Sequence, residues 1–395
     1  MNSDIYLDNN ATTPVDPEVM EAMLPYFTEY YGNASSINHP AGKKASEAVH
    51  KARLNIAELI GASEKEITFT SGATEAINLA LQGVFHRYKK VGRHIITCTT
   101  EHRAVLDVCR YLEKQGAEIT YLRVNRQGEI DLGELERSIR KDTILLSFMA
   151  ANNETGVLHP IAEIAGISQR HKVLFFCDAT QAIGKIPFSV AQYGIDLMAF
   201  SGHKMYGPKG VGALYIRRKS NRTQLEALLH GGGQENGLRA GTLNVPGIVG
   251  MGTAAALCQR AMKEESQRLE ALRNQLENKL LTLEQSYVNG SSAERLPHVS
   301  NMCFRFLKAE QIMVGLRKIA MAAGSACATG SLNPSHVLLA MGLEKEDAHA
   351  SLRFSLGRFT TPEEIDTAAQ LIMQKVTELR NESPVWALYK QGIIS

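Results

Sequence analysis

What most constrains this chain is a repeated alternation. Short runs rich in apolar, β-branched and aromatic residues occur at Glu66 to Thr70, His94 to Cys98, Glu118 to Val124, Thr143 to Met149, Val173 to Cys177 and Leu197 to Phe200, each bounded by polar or small residues. Between them lie stretches with helical spacing: Ala76 to Tyr88, a helix through Lys114 and Ile161 to His171, with Lys43 to Ile60 ahead of the first run. Strands alternating with helices need crossover connections, so the pattern predicts an α/β fold built on a mostly parallel, doubly wound sheet. Ligands of such sheets bind beyond the carboxyl ends of the strands. The residues at those ends are the ones to read for chemistry.

The run ending at Thr70 passes into Ser71-Gly72-Ala73-Thr74-Glu75 and then a helix. Free backbone N–H groups and the positive end of a helix dipole, with the Thr74 hydroxyl beside them, would cradle a phosphate. There is no P-loop lysine, and a plain helix cap fits the same residues. His102 stands at the next strand-to-helix junction, where an imidazole can stack on a planar heteroaromatic ring and shuttle protons, or merely cap the helix. The run ending at Met149 leaves through an unusually polar exit that contains Asn153. Asp178 follows five apolar residues, with Gln181 three positions on. A buried carboxylate is costly unless paired; a protonated pyridine nitrogen would pair it, as in a pyridoxal phosphate site, and a helix cap is the alternative. Lys204 closes Ser201-Gly202-His203-Lys204, directly after Leu197 to Phe200. A partly desolvated lysine there becomes an amine nucleophile suited to an aldehyde cofactor, although a surface lysine in a turn accounts for those four residues as well.

At 395 residues the chain exceeds what one core usually supports, which implies two domains. Its 43 basic and 41 acidic residues leave no basic surface for nucleic acid or membrane, so a small molecule or another protein is the implied partner. The six cysteines, at 98, 109, 177, 258, 303 and 327, contain no Cys-x-x-Cys pair, so neither a zinc site nor a disulfide framework is expected. With no signal-like amino terminus and no apolar run of membrane-spanning length, a cytoplasmic protein is expected.

The combination Leu7-Asp8-Asn9-Asn10-Ala11-Thr12-Thr13, Thr70 to Glu75, Thr100-Glu101-His102, Asn152-Asn153-Glu154, Asp178-Ala179-Thr180-Gln181, Ser201 to Lys204 and Arg239-Ala240-Gly241-Thr242 closely resembles the cysteine desulfurases of the class V aminotransferase-like superfamily. The resemblance runs in one register from residue 5 to about the end of the chain. It implies a fold-type I, aspartate-aminotransferase-like enzyme that uses pyridoxal 5'-phosphate and works as a homodimer. By match of motif, Lys204 would hold the cofactor, His102 would stack on its ring and Asp178 would pair with the ring nitrogen. Gln181 and Asn153 would bond ring or substrate oxygens. Ala73, Thr74, Ser201, Gly202 and His203 would hold the phosphate, joined by Thr242 from the neighbouring subunit. A large cofactor domain over 15–262 and a small domain over 1–14 and 263–395 are expected.

Ala322 to Ser335 is rich in small and turn-forming residues and lacks any helical or strand period, so a mobile surface loop at about 322–336 is expected. It carries Cys327, whereas the other five cysteines sit in apolar segments. Gly324-Ser325-Ala326-Cys327 resembles the long-loop, NifS- and IscS-like desulfurases, in which an exposed thiolate would receive sulfur from L-cysteine and pass it to acceptor proteins such as an iron–sulfur cluster scaffold. Several members carry hydroxyl residues around this motif where the present chain has Ala322, Ala323 and Ala328. The same resemblance assigns Arg353 to the substrate carboxylate, which a guanidinium fork can grip in bidentate fashion. Transient iron–sulfur ligation by Cys327 is allowed, but no complete metal site is present. An aminotransferase or a selenocysteine lyase would share the cofactor site, and a non-catalytic docking scaffold would not need Lys204, Asp178 and His102.

Overall fold

The fold was described from a computed structural model, which covers residues 4–218, 223–290, 292–323 and 334–393. A seven-stranded sheet forms its centre, in the order Ile67–Thr70, Gly212–Ile216, Leu197–Ser201, Leu174–Asp178, Thr143–Met149, His94–Cys98 and Glu118–Leu122. From Leu197–Ser201 to Glu118–Leu122 all neighbours are parallel, and Gly212–Ile216 runs antiparallel to both of its neighbours. Apolar side chains are buried on both faces, which is why these strands read as near-continuous hydrophobic runs. The expected α/β, mostly parallel architecture is therefore the observed one.

Gly212–Ile216 was not among the expected strands, because its apolar run follows immediately on the Gly207-Pro208-Lys209-Gly210 turn. It folds back as a hairpin that pairs Ser201 with Gly212 and Leu197 with Ile216. Glycine is required at 212, since a Cβ there would lie 2.6 Å from the Cα of Gly72. This close approach seats the small-residue turn Ser71–Gly72 against the sheet end.

A second, four-stranded antiparallel sheet takes the order Ala322–Ala323, Ser351–Ser355, Val299–Phe304 and Ser286–Val288. Ile5–Tyr6 pairs in parallel with Ile319–Ala320, and Asp8 bridges Ser355, so the amino-terminal segment is tied to this sheet. Its apolar face is covered by Pro362–Asn381 and by the carboxyl half of one 36-residue helix, Val245–Leu280. The first half, from Val245, is rich in Gly and Ala, which hide the helical period but let other elements come close. Near the amino terminus Pro25 separates the helices Pro17–Met23 and Pro25–Thr28, since proline cannot continue the helical ladder. The strand Ser351–Ser355 ends before Gly357, and a last helix follows at Pro384–Lys390. Among the described residues no helix is long and apolar enough to cross a membrane.

Val245–Leu280 meets Pro40–Ile60 at a glycine: a Cβ on Gly252 would lie 2.4 Å from the Cα of Ala52. Gly252→Ala should force the helices apart at a cost of about 1–3 kcal/mol, the usual range for overpacking, and lower the thermal midpoint measured by circular dichroism. An unchanged midpoint would mean that this contact can relax freely.

Candidate active site

Four of the five parallel strands end at Cys98, Met149, Asp178 and Ser201, and residues that follow these ends converge on one cavity of about 590 Å³. Ala73, Thr74, His102, Asn153, Asp178, Gln181, Ser201, His203, Lys204 and Arg353 all line it. Gly202 is buried but is not among the lining residues, and Thr242 is exposed and lies outside the cavity of its own chain. Cys327 lies outside the described residues.

Lys204 ends a single turn, Gly202–Lys204, that directly follows Leu197–Ser201. Its Nζ donates to the carbonyl oxygens of Asn10 and Ala11, the latter at 2.8 Å. The amine is thus held at the rim of the sheet by backbone from the amino-terminal segment. Gln181 Nε2 donates to the same Asn10 carbonyl at 3.1 Å, while Asn10 Nδ2 donates to the Asn153 carbonyl at 3.0 Å. Asn10 also accepts at Oδ1 from the Nε2 of buried His298, 2.9 Å away.

His102 caps Arg103–Glu113, its Nδ1 accepting from the Ala104 N–H at 3.1 Å. That bond requires the neutral tautomer with its hydrogen on Nε2. Burial lowers the imidazole's pKa; nearby Asp178 opposes this shift and Lys204 adds to it. Capping and cavity lining, which the sequence left as alternatives, are both served by this one ring. Asp178 is 5% exposed and accepts from the Thr180 N–H at 3.0 Å. The helix Ala73–Tyr88 begins at Gly72 with no side chain capping its first turn, which leaves backbone donors facing the cavity where an anion would be favoured.

Arg353, 3% exposed, projects from Ser351–Ser355. It donates to the Asn153 carbonyl at 3.0 Å and pairs with Asp8 at 2.6 Å, while its Nε has no hydrogen-bond partner among the described residues. The fork retains donors for a carboxylate. Arg358 points elsewhere, to Glu265 at 2.8 Å and Asp16 at 2.7 Å.

Four side chains that the sequence reading did not assign belong to the setting of the site. Asn10 and Asp8 lie in the polar Leu7 to Thr13 run, where density of amide and carboxylate residues was the available signal. Glu101 is completely buried, accepts from the Met149 N–H at 2.8 Å and is raised well above the ordinary carboxyl range by burial, with Asp178 adding to the shift. Glu154, 5% exposed, is pushed up to about 7 by burial. Among the described residues no cluster of His, Cys, Asp and Glu could hold a metal ion.

Residues 5–367 match the family model described as aminotransferase class-V. The chain belongs to the class-V aminotransferase family. It is 53% identical over 394 residues to a protein named cysteine desulfurase IscS from Anaeromyxobacter dehalogenans, covering all of this chain and 97% of the relative. A protein of the same name from Mannheimia succiniciproducens is 52% identical over 395 residues, covering all of this chain and 98% of that one. Among solved structures, a NifS-like protein superposes with a TM-score of 0.87 at 38% identity, covering 95% of this chain and 99% of the other. The class-V fold accounts for the mostly parallel sheet.

His203 gives this site a measurable acid response. Its Nδ1 faces Thr12 Oγ1 at 3.1 Å, and burial, then Lys204 and Lys209, push it down to about 4 from an ordinary 6.5. Stability tied to the neutral ring is present above pH 6.5 and is lost as pH falls toward about 4, because the unfolded chain binds the proton first. Across that window the thermal midpoint of the native protein should fall more steeply than that of His203→Asn, as measured by melting at stepped pH.

Proposed function

We infer that this class-V family member is a cysteine desulfurase, which holds pyridoxal 5'-phosphate at Lys204 and transfers the sulfur of L-cysteine to Cys327. The carrying observation is that one cavity is lined by Lys204, a buried carboxylate at Asp178, the uncapped amino terminus of Ala73–Tyr88 and a partly uncommitted Arg353. These donors fit the cofactor: the helix terminus and Thr74, Ser201 and His203 suit its phosphate, Asp178 suits its ring nitrogen and His102 its ring face. Two relatives of full length, named cysteine desulfurases, support the activity.

When bound, pyridoxal phosphate supplies a carbonyl carbon that captures amines and a ring that accepts electrons from the substrate α-carbon. Arg353 grips the substrate carboxylate, and Asn153 positions it. The amine of Lys204 would take the substrate α-proton. Asp178 would pair with the ring nitrogen, and His102 holds a transferable proton on Nε2. The Cys327 thiolate attacks the substrate sulfur; an S–S bond forms, the C–S bond breaks, and its electron pair is protonated on carbon to give L-alanine. The net change is L-cysteine plus thiol to L-alanine plus persulfide, with no outside oxidant.

Chain connectivity supports the role of Cys327. Ala322 is paired with Arg353, and Ala323 with Leu352. Cys327 is four residues beyond Ala323 in the sequence, so the described end nearest to it is paired with the strand carrying Arg353. Division into a large domain over 15–262 and a small one over 1–14 and 263–395 belongs to this reading, with separate apolar cores on the two sheets as its support. So does a homodimer, in which exposed Thr242 serves the phosphate of the neighbouring subunit. The persulfide then passes to acceptor proteins of iron–sulfur assembly. A cytoplasmic setting fits the five described cysteines, all free and buried.

Borohydride reduction followed by peptide mapping should leave a pyridoxyl group on Lys204, and Lys204→Ala should take none. Cys327→Ala should remain yellow but lose at least about 100-fold in alanine formation from L-cysteine, a loss typical of removing a catalytic nucleophile. Full alanine formation by that variant would sink the assignment.

A further inference from the structure

Residues 324–333 lie between two described ends, and the ends are attached to different parts of the fold. The leading end, Ala322–Ala323, is a strand of the four-stranded sheet. The trailing end is bonded to the turns that follow two strands of the seven-stranded sheet. Ser335, 3% exposed, donates from Oγ to Glu154 Oε2 at 2.5 Å, and the same oxygen accepts from the Leu338 N–H at 3.2 Å, capping His336–Ala340. His336 donates from Nε2 to the backbone carbonyl of Glu101 at 3.1 Å. The short helix has its own apolar seat, in which Val337, Leu338 and Met341 gather with Val124 against them.

Glu101 immediately precedes His102, and Glu154 immediately follows Asn153. Glu154 also accepts at its carbonyl from Asn301 Nδ2 at 3.2 Å, and Asn301 is the direct strand partner of Arg353. Two consecutive side chains at the trailing end are therefore bonded to the residues next to the proton carrier and next to the substrate clamp. Capping a five-residue helix needs only the Leu338 bond. It does not need a buried carboxylate on the same hydroxyl, nor a histidine reaching back to the His102 turn.

We propose that Ser335 and His336 are positioning residues for sulfur transfer: bound to Glu154 and to the Glu101 carbonyl, they hold the trailing end of the Cys327 stretch in register with the substrate cavity. The inference rests on the desulfurase reading above. Cys327 is eight residues before Ser335, so freeing Ser335 would lower the effective concentration of the thiol at the substrate sulfur. Steps performed by Lys204 do not involve that end. Loss of the anchor should thus separate the two halves of the reaction.

The test uses the holoenzyme carrying Ser335→Ala, Ser335→Thr or His336→Ala, with Cys327→Ala as control. Two rates are read: exchange of the substrate α-proton in heavy water, by NMR, and formation of persulfide on Cys327 in a single turnover, by mass spectrometry. Ser335→Ala and His336→Ala should keep cofactor content and α-proton exchange while persulfide formation falls about 10- to 100-fold, the size of a misplaced reacting group. Ser335→Thr, which retains both hydroxyl bonds, should recover most of the rate. Unchanged persulfide formation in both alanine variants overturns the proposal, as does a parallel fall in exchange and cofactor content, which would mark a structural role only. If Cys327→Ala itself forms alanine at the native rate, the desulfurase reading fails instead.

Discussion

One short polar segment, Leu7 to Thr13, holds the two sheets to a common site. It offers its Asn10 carbonyl to Lys204 and Gln181, its Asn10 amide to Asn153 and His298, and its Asp8 carboxylate to Arg353. Thr13 closes the arrangement, donating its N–H to the His203 carbonyl at 3.0 Å and accepting from the Tyr206 N–H at 2.9 Å. The Lys204 amine and the Arg353 guanidinium lie on different sheets, and bonds from a third piece of chain, backbone carbonyls to the first and the Asp8 carboxylate to the second, fix their separation. At Lys204 backbone carbonyls orient the amine without adding a competing formal charge.

Burial at the strand ends is the other half of the design. Two carboxyl groups flanking the cavity, Glu101 and Glu154, are shifted upward by loss of water, and two of its imidazoles, His102 and His203, are shifted downward. A dry site strengthens each remaining dipole. It also keeps the rings neutral, with one nitrogen committed to a structural bond and the other available.

Much of this was legible in the sequence because parallel strands bury both faces and so announce themselves as apolar runs with polar ends. The cavity-lining set from Thr74 to Lys204 follows from that logic. What escaped were features governed by contact rather than by period. Gly212–Ile216 is a seventh apolar run that a turn made easy to pass over, and its antiparallel pairing depends on glycine meeting glycine. The amino half of Val245–Leu280 lacks a helical stripe because Gly and Ala face close neighbours. Asn10, Glu101 and Glu154 gain their importance from long-range partners that no local spacing encodes.

The helix Val245–Leu280 rises about 54 Å at the usual 1.5 Å per residue. Its amino half contributes Ile248, Met251 and Cys258 to the core of the larger sheet, and its carboxyl half contributes Leu269, Leu272 and Leu276 to that of the smaller one. Helical order propagates cheaply once nucleated and is interrupted only at a cost. A rod shared in this way makes the two cores mechanically dependent: slackening at one end is felt as lost alignment at the other, and the distance between amine and guanidinium is guarded by a beam that neither sheet owns.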